Sequence, residues 1–168
     1  MACLVACSFP RAELTALSYR VDGTTPELKE RLNACKTNRD RASVVAETIQ
    51  IGNTLNVPDD SDAAAVERMR NLLTDPNRVL HDIERHLVAV FRRLYRQRNL
   101  VLHGGKTDAV ALRSSIRTAA PIVGAGMDRV AHAWFVENTP PLELAARARI
   151  NFELVGSIKG PAVVDLLG

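Results

Sequence analysis

Apolar residues recur along the chain at intervals of three and four, the spacing of one face of an α-helix. Leu14, Leu17 and Val21 keep this spacing after Pro10, which predicts a first helix there. The strict alternation of apolar and polar residues that marks a half-buried β-strand does not recur. The pattern therefore predicts an all-α fold.

Four further short helices are predicted from apolar spacing, capping residues and prolines in a first turn. They span residues 26–35, 42–55, 63–73 and 139–154. Thr25 followed by Pro26 opens the first of them, and Ser61 or Asp62 is expected to cap the third. The second is predicted although β-branched residues and Gly52 lower its helical propensity.

Two longer helices are predicted in the centre of the chain. The first opens at Asp75 and Pro76 and runs to about His103. Gly104 and Gly105 are typical of the end of such a helix. The sequence thus places a titratable imidazole at a helix end.

The second long helix is expected to be capped by Thr107 or Asp108 and to reach Phe135. Helix-breaking residues should kink or split it at Pro121, Gly124 and Gly126. The predicted fold is an all-α helical bundle built around two long helices that join at Gly104 and Gly105.

The length and composition suit one domain with a core of aliphatic side chains. The chain has 168 residues, of which 46% are apolar and only 4% aromatic. We expect a single unit, 1–168, with a helical portion at 1–60, a core bundle at 61–156 and a tail at 157–168. The abrupt apolar start and the VVDLLG tail are typical of a piece excised from a larger protein.

Three cysteines without a CxxC pair indicate neither a disulfide framework nor a zinc site, so a reducing compartment is expected. The apolar run at 2–9 is too short to cross a bilayer. We therefore expect a cytoplasmic protein with no membrane partner.

The net charge is only +3, but basic residues are concentrated around the end of the first long helix. Between Ile83 and Lys106 the sequence has one acid, Glu84, and six basic residues: Arg85, Arg92, Arg93, Arg96, Arg98 and Lys106. Such a local excess favours an anionic partner.

The letters GGKT at 104–107 suggest a phosphate-binding loop, but the rest of that motif is missing. The first glycine of G-x-x-x-x-G-K-[ST] would fall on Leu100, and a helix rather than a strand precedes the loop. The two glycines are explained better as a helix end, with Thr107 as the next cap.

Arg98 occupies a position where the pattern predicts a core leucine. It follows Leu94 by four residues and Phe91 by seven, within an apolar arc of the long helix: Leu80, Ile83, Leu87, Phe91, Leu94, Tyr95, Val101 and Leu102. A guanidinium cannot lose its charge, so it must be paired, face a solvated cleft or meet a bound anion.

Another face of the same helix carries Arg92, Arg96, Asn99 and His103 in one polar stripe. Such a stripe is either a solvated face or a ligand-binding face. Arg98 and His103 are five residues apart and diverge by about 140° on a regular helix. They converge only if the arginine stem curls, if the helix ends early, or if a second copy contributes the same motif.

The run RRLYRQRNLVLHGG at 92–105 resembles the HEPN superfamily, and most closely its Apea-like branch. Arg98, Asn99 and His103 give the R-N-x-x-x-H motif of that superfamily. The resemblance implies a HEPN-like helical bundle that forms a two-fold homodimer. It also implies metal-independent endoribonuclease activity without a cofactor.

In this reading His103 moves a proton, Arg98 binds the non-bridging phosphate oxygens, and Asn99 orients the imidazole or the phosphate. Tyr95 is expected in the core or an interface, with base stacking as the alternative. The residues expected to contact RNA are Arg92, Arg96, Tyr95 and Lys106. Attack by the 2′-OH on single-stranded or loop RNA, such as that of tRNA, would leave a 2′,3′-cyclic phosphate.

Three functions stay open on the sequence. The first is a ribonuclease acting as a toxin or defence effector, with an antitoxin or a regulatory domain as partner. The second is an inactive HEPN-like module for dimerisation or RNA binding. The third is a scaffold in which Arg98 is paired internally.

The other three histidines are predicted to be structural residues: His81, His86 and His132. No metal site is expected.

Overall fold

The computed structural model describes residues 1–21, 25–104 and 110–167. Within these ranges the chain forms seven α-helices, one short 3₁₀ helix and no β-strand, so the all-α prediction is confirmed. The helices are α1 (Ala2–Ser18), α2 (Pro26–Ala34), α3 (Asn38–Gln50), α4 (Asp60–Thr74), α5 (Pro76–Gly104), α6 (Val110–Phe135) and α7 (Pro141–Leu154), followed by the 3₁₀ helix at Val163–Asp165.

Helix α1 lies at the centre of the bundle and packs against α3, α4, α5, α6 and α7. It begins at Ala2, and Pro10 lies inside it, so the prediction of a helix only after Pro10 is wrong. The apolar run from Leu4 to Cys7 is buried in the core, and this burial outweighs the backbone hydrogen bond that Pro10 cannot make. Val21 lies beyond the end of the helix.

Side-chain caps fix the starts of the short helices. Thr25 Oγ1 accepts a hydrogen bond from the Leu28 N–H at 3.4 Å, which confirms the predicted cap of α2. Helix α3 starts earlier than predicted because Thr37 and Asp40 form a capping box, and it ends at Gln50 before Gly52.

The cap of α4 is Asp59 rather than Ser61 or Asp62. The Asp59 carboxylate accepts hydrogen bonds from the Asp62 N–H at 2.9 Å and from the Ser61 hydroxyl at 2.7 Å. The Asp62 side chain is instead buried and accepts a hydrogen bond from Arg20 at 2.8 Å. The predicted caps were wrong because Asp62 is needed for this ion pair between α4 and the end of α1.

The two long helices match their predicted positions, but α6 is not split. It runs unbroken past Pro121 and Gly124. Gly126 is buried against α1, where an added Cβ would lie 3.0 Å from a methyl group of Val5. This glycine therefore permits close packing of α6 on α1 rather than breaking the helix. The predicted caps, Thr107 and Asp108, lie outside the described residues.

The core takes in only the first half of α5. Leu80 and Leu87 are buried in it, together with side chains from α1, α3, α4 and α7. Among the described residues of 88–118 none is buried. We call this segment, the second half of α5 and the first third of α6, the arm.

The tail packs on the bundle through Val163, Val164 and Leu166, which are buried. Arg129 of α6 holds it in place by donating to the Leu167 carbonyl at 2.7 Å. The same guanidinium donates to both carboxylate oxygens of Glu137, at 2.6 and 3.1 Å. These bonds hold the pKa of Glu137 below its usual value, and desolvation opposes this effect only in part.

A carboxylate with a lowered pKa stabilises the fold above its unfolded pKa and loses that contribution as pH falls. We therefore expect the free energy of unfolding of Glu137→Gln to approach that of the wild-type protein as pH falls below about 4.3, the usual pKa of a glutamate. Urea denaturation of both proteins between neutral and acid pH measures the difference. Parallel curves over the whole range would contradict this role of Glu137.

Candidate functional site

The arm carries the described part of the predicted site. Arg98 and His103 are exposed on α5, and Asn99 is half-buried. Arg96 and Arg92 are exposed about one and two turns, respectively, before Asn99 on the helix. The sixth basic residue of this region, Lys106, lies outside the described residues.

Arg98 does not take the place of a core leucine. The apolar arc that contains it is buried only at its start, at Leu80 and Leu87. Further along the arc Tyr95 is 62% exposed and Leu102 is 60% exposed. The core position that the pattern predicted here is wrong because α5 leaves the core before this residue, so the Arg98 guanidinium is exposed and stays hydrated.

Arginines outside the arm are consistently bonded within the bundle. Each of the twelve donates to a carboxylate, a hydroxyl or a backbone carbonyl, as Arg39 does to Asp165 and Arg149 to Glu84: Arg11, Arg20, Arg31, Arg39, Arg41, Arg68, Arg70, Arg78, Arg85, Arg129, Arg147 and Arg149.

Arginines in the arm differ sharply from these. Within the described part of the chain, no hydrogen bond or ion pair is formed by Arg92, Arg93, Arg96, Arg98, Arg113 or Arg117. The sequence explains the difference, because Asp108 is the only acid between residues 85 and 127. The arm is therefore a positively charged projection from a bundle whose other arginines are hydrogen-bonded or ion-paired within the protein.

The internal salt bridge expected of a scaffold is not found for Arg98 among the described residues. Glu84, the nearest acid before it on α5, is bound to Arg149 of α7 at 2.6 Å. The scaffold hypothesis therefore loses the feature that would have supported it.

Helix α5 continues through Gly104, so His103 lies in its last turn. The alternative in which the helix ends early is therefore wrong. On this continuous helix Arg98 and His103 project about 140° apart, whereas Asn99 and His103, four residues apart, share a face. Convergence of Arg98 on His103 now requires a curled arginine stem or a second copy of the chain.

An open groove lies along the exposed side of α5. It has a volume of about 470 Å³ and is lined by Val88, Phe91, Arg92, Tyr95 and Arg96. The half-buried residues Leu94 and Val101 mark the opposite, packed side of the helix. Tyr95 thus stands in a basic, partly apolar groove. Of its two expected locations, the core is wrong for the single chain and an interface stays a prediction.

Two basic residues of the site escaped the sequence prediction. Arg113 and Arg117 on α6 are exposed and belong to the arm. The charge count that stopped at Lys106 missed them, although the same count carried into the next helix would have included them. The positive surface is therefore formed by two helices.

The remaining histidines make structural contacts. The His81 ring packs against Phe152 with centroids 4.7 Å apart, and its Nδ1 lies 2.8 Å from the Asn77 carbonyl oxygen. His86 makes a similar contact with the Asp82 carbonyl oxygen, and His132 lies 3.4 Å from Glu137. None of these three rings lies in the arm.

Among the residues whose placement is described, no three His, Cys, Asp or Glu side chains are grouped to hold a metal ion. The helices in the same part of the chain are all too short or too polar to cross a membrane. A scan against protein-family models and searches of curated proteins and of solved structures found no match. The HEPN resemblance therefore stays a prediction carried by residues 92–105.

Proposed function

We propose that this protein is a metal-independent endoribonuclease that binds single-stranded or loop RNA along the arm. The observation that carries the proposal is the contrast in arginine pairing. Six arginines of the arm have no described partner, whereas the twelve elsewhere are bonded within the bundle. Like charges held together repel one another, and a polyanion relieves that repulsion.

RNA carries two kinds of group that the groove can bind, phosphates and unpaired bases. Phosphates pair with guanidinium groups, and each contact releases counterions and so makes binding sensitive to salt. Tyr95, 62% exposed between Arg92 and Arg96, offers a ring on which an unpaired base can stack. A stacked base must be free of a duplex, which favours single strands and loops, such as those of tRNA.

Cleavage would follow from attack of the ribose 2′ oxygen on the adjacent phosphorus. The P–O5′ bond breaks, which leaves a 2′,3′-cyclic phosphate and a 5′-hydroxyl. An imidazole such as that of His103 can take the 2′-OH proton or give a proton to the departing oxygen near neutral pH. Arg98 would stabilise the charge that develops on the non-bridging oxygens.

The site would be assembled by two copies of the chain. Arg98 and His103 diverge on one helix, so a two-fold axis beside α5 would bring the arginine of one copy towards the histidine of the other. Tyr95 and Leu102, both more than half exposed, are available for that contact. In this homodimer Tyr95 would have to serve at the interface or at a base, not both.

Such an enzyme would act in the cytoplasm as a toxin or a defence effector. An acidic antitoxin or regulatory domain that covers Arg92 and Arg96 would block RNA from the arm. The second candidate function is an inactive HEPN-like module for RNA binding or dimerisation. The unpaired arginines are equally consistent with RNA binding by the ribonuclease and by the inactive module. Only the ribonuclease would cleave RNA, so a cleavage assay distinguishes the two candidates.

RNA binding can be tested with the double variant Arg92→Gln/Arg96→Gln. We expect weaker binding to a labelled single strand and a slope of log affinity against log salt that is smaller by about 1.4, since each lost phosphate contact changes it by about 0.7. The matched control is Arg70→Gln/Arg147→Gln, which removes two exposed arginines paired with Glu67 and Glu143.

The control should bind RNA as the wild-type protein does. Equal losses in the two double variants would indicate binding through net charge alone and would contradict a specific role of the arm. For the enzyme itself, the wild-type protein should cleave single-stranded RNA in EDTA. Binding without cleavage would leave the inactive module as the better description.

A further inference from the structure

Two of the three cysteines face each other at the start of α1. Cys3 Sγ and Cys7 Sγ are 4.0 Å apart and one helical turn apart in sequence. The third, Cys35, follows the last residue of α2, and its thiol donates to the Arg31 carbonyl at 3.2 Å. All three are free thiols. The first pair is therefore a preformed dithiol, and Cys35 is a single thiol in the same protein.

The two thiols of the pair differ in exposure and surroundings. Cys7 is buried and donates to the Ala148 carbonyl of α7 at 3.6 Å. Cys3 is half-buried, so a small oxidant can approach it. A hydrogen bond with Cys7 lowers the pKa of Cys3, and the nearby Arg149 guanidinium acts in the same direction. The same bond and burial raise the pKa of Cys7.

A disulfide between residues four apart on a helix requires movement of the backbone. Cβ atoms at this spacing are about 5–6 Å apart on a regular helix, and a disulfide needs about 3.5–4.5 Å. Cys3 lies in the first turn of α1, where the leading N–H groups have no partner within the helix. The disulfide therefore requires a shift of this first turn, whose Leu4 and Val5 side chains are buried.

We propose that Cys3 and Cys7 form a reversible disulfide when the protein meets a peroxide. The Cys3 thiolate attacks hydrogen peroxide, the O–O bond breaks, and Cys3 becomes a sulfenic acid with release of hydroxide. The Cys7 sulfur then attacks the Cys3 sulfur, and the sulfenic oxygen leaves with the thiol proton as water. The two sulfurs together lose two electrons, and the peroxide is reduced to two waters once the hydroxide takes up a proton.

The position of the pair gives the reaction a structural consequence. Val5, between the two cysteines in sequence, packs against Gly126 of α6. The neighbouring Arg149 joins α7 to Glu84 of α5. A shift of the first turn would therefore occur beside Gly126 of α6 and close to the Arg149–Glu84 ion pair that reaches α5.

Peptide mass spectrometry tests the proposal without any variant. Trypsin releases residues 1–11 as one peptide that contains both Cys3 and Cys7. After limited peroxide treatment of the native protein and alkylation in denaturant, which exposes the buried Cys7, we expect this peptide to have lost two hydrogen atoms and to carry no alkyl group. Dithiothreitol should restore both alkylation sites. The peptide with Cys35, residues 32–36, is the internal control and should stay alkylated under the same treatment.

The variant Cys7→Ala adds a trapping step. Its Cys3 should accumulate as a sulfenic acid that dimedone labels, since the second thiol is gone. Oxidation of Cys35 at the same peroxide dose, with residues 1–11 unchanged, would overturn the proposal. So would recovery of Cys3 and Cys7 as separate adducts or in disulfides between chains.

Discussion

Replacement of His103 by alanine is expected to lower RNA cleavage at least 100-fold and to leave RNA binding nearly unchanged. A positioned general acid or base contributes about 10²–10⁴ to a rate. The His103 side chain is exposed in the last turn of α5, so its removal costs little packing. The proposed RNA affinity rests on the arginines and should persist. Cleavage rates and affinities of the two proteins, measured on one RNA in EDTA, give the comparison.

The control for this variant is His86→Ala. His86 is exposed on the same helix, before the arm begins, and among the described residues it is hydrogen-bonded to the backbone carbonyl of Asp82 alone. Its removal should leave the cleavage rate within about twofold of wild type, since surface substitutions of this kind change little. Cleavage by His103→Ala at the wild-type rate would remove His103 from the reaction.

Replacement of Phe152 by alanine is expected to destabilise the fold by about 3–5 kcal/mol, the usual cost of deleting a buried aromatic side chain. Phe152 of α7 is completely buried and packs against the His81 ring of α5. For a chain of this length the loss corresponds to a fall in melting temperature of roughly 6–20 °C. Thermal and urea denaturation measure it.

Leu142→Ala on the same helix is the matched control. Leu142 is 86% exposed, so its truncation removes little buried surface and should change stability by less than about 0.5 kcal/mol. A similar cost for the two variants would mean that α7 does not pack with Phe152 inward. The difference between them therefore tests how this helix is placed.

The sequence predicted helices best where local chemistry decides their ends. Thr25, Asp75 and Pro141 stand next to or at the first residues of α2, α5 and α7, and these helices agree with the prediction. Prediction failed where packing overrides local preference. Pro10 lies inside α1, because burial of the apolar residues before it outweighs the lost hydrogen bond.

In the candidate site too, the features set by local spacing were predicted and those set by packing were not. The spacing of Arg92, Arg96, Asn99 and His103 fixes their shared stripe on any helix, and α5 is helical throughout. The exposure of Arg98 was not predictable from that spacing. A helical wheel cannot tell where a long helix leaves the core, and α5 leaves it after Phe91, which is partly buried and still packs against the core.

The dithiol was not predicted because Cys3 and Cys7 do not form a CxxC pair and no helix was predicted over residues 2–9. Once α1 is known to begin at Ala2, the i and i+4 positions of Cys3 and Cys7 place them on one face. A helix assignment at the chain start would have revealed the pair.

The end groups of the RNA products test the proposed chemistry most directly. Wild-type protein should cleave single-stranded RNA in EDTA and leave a 2′,3′-cyclic phosphate on one product and a 5′-hydroxyl on the other, since the attacking group is the ribose 2′ oxygen. A 2′-deoxy residue at the mapped site should block cleavage there. Products with a 3′-hydroxyl and a 5′-phosphate, or no cleavage by the wild-type protein, would contradict the proposed enzyme.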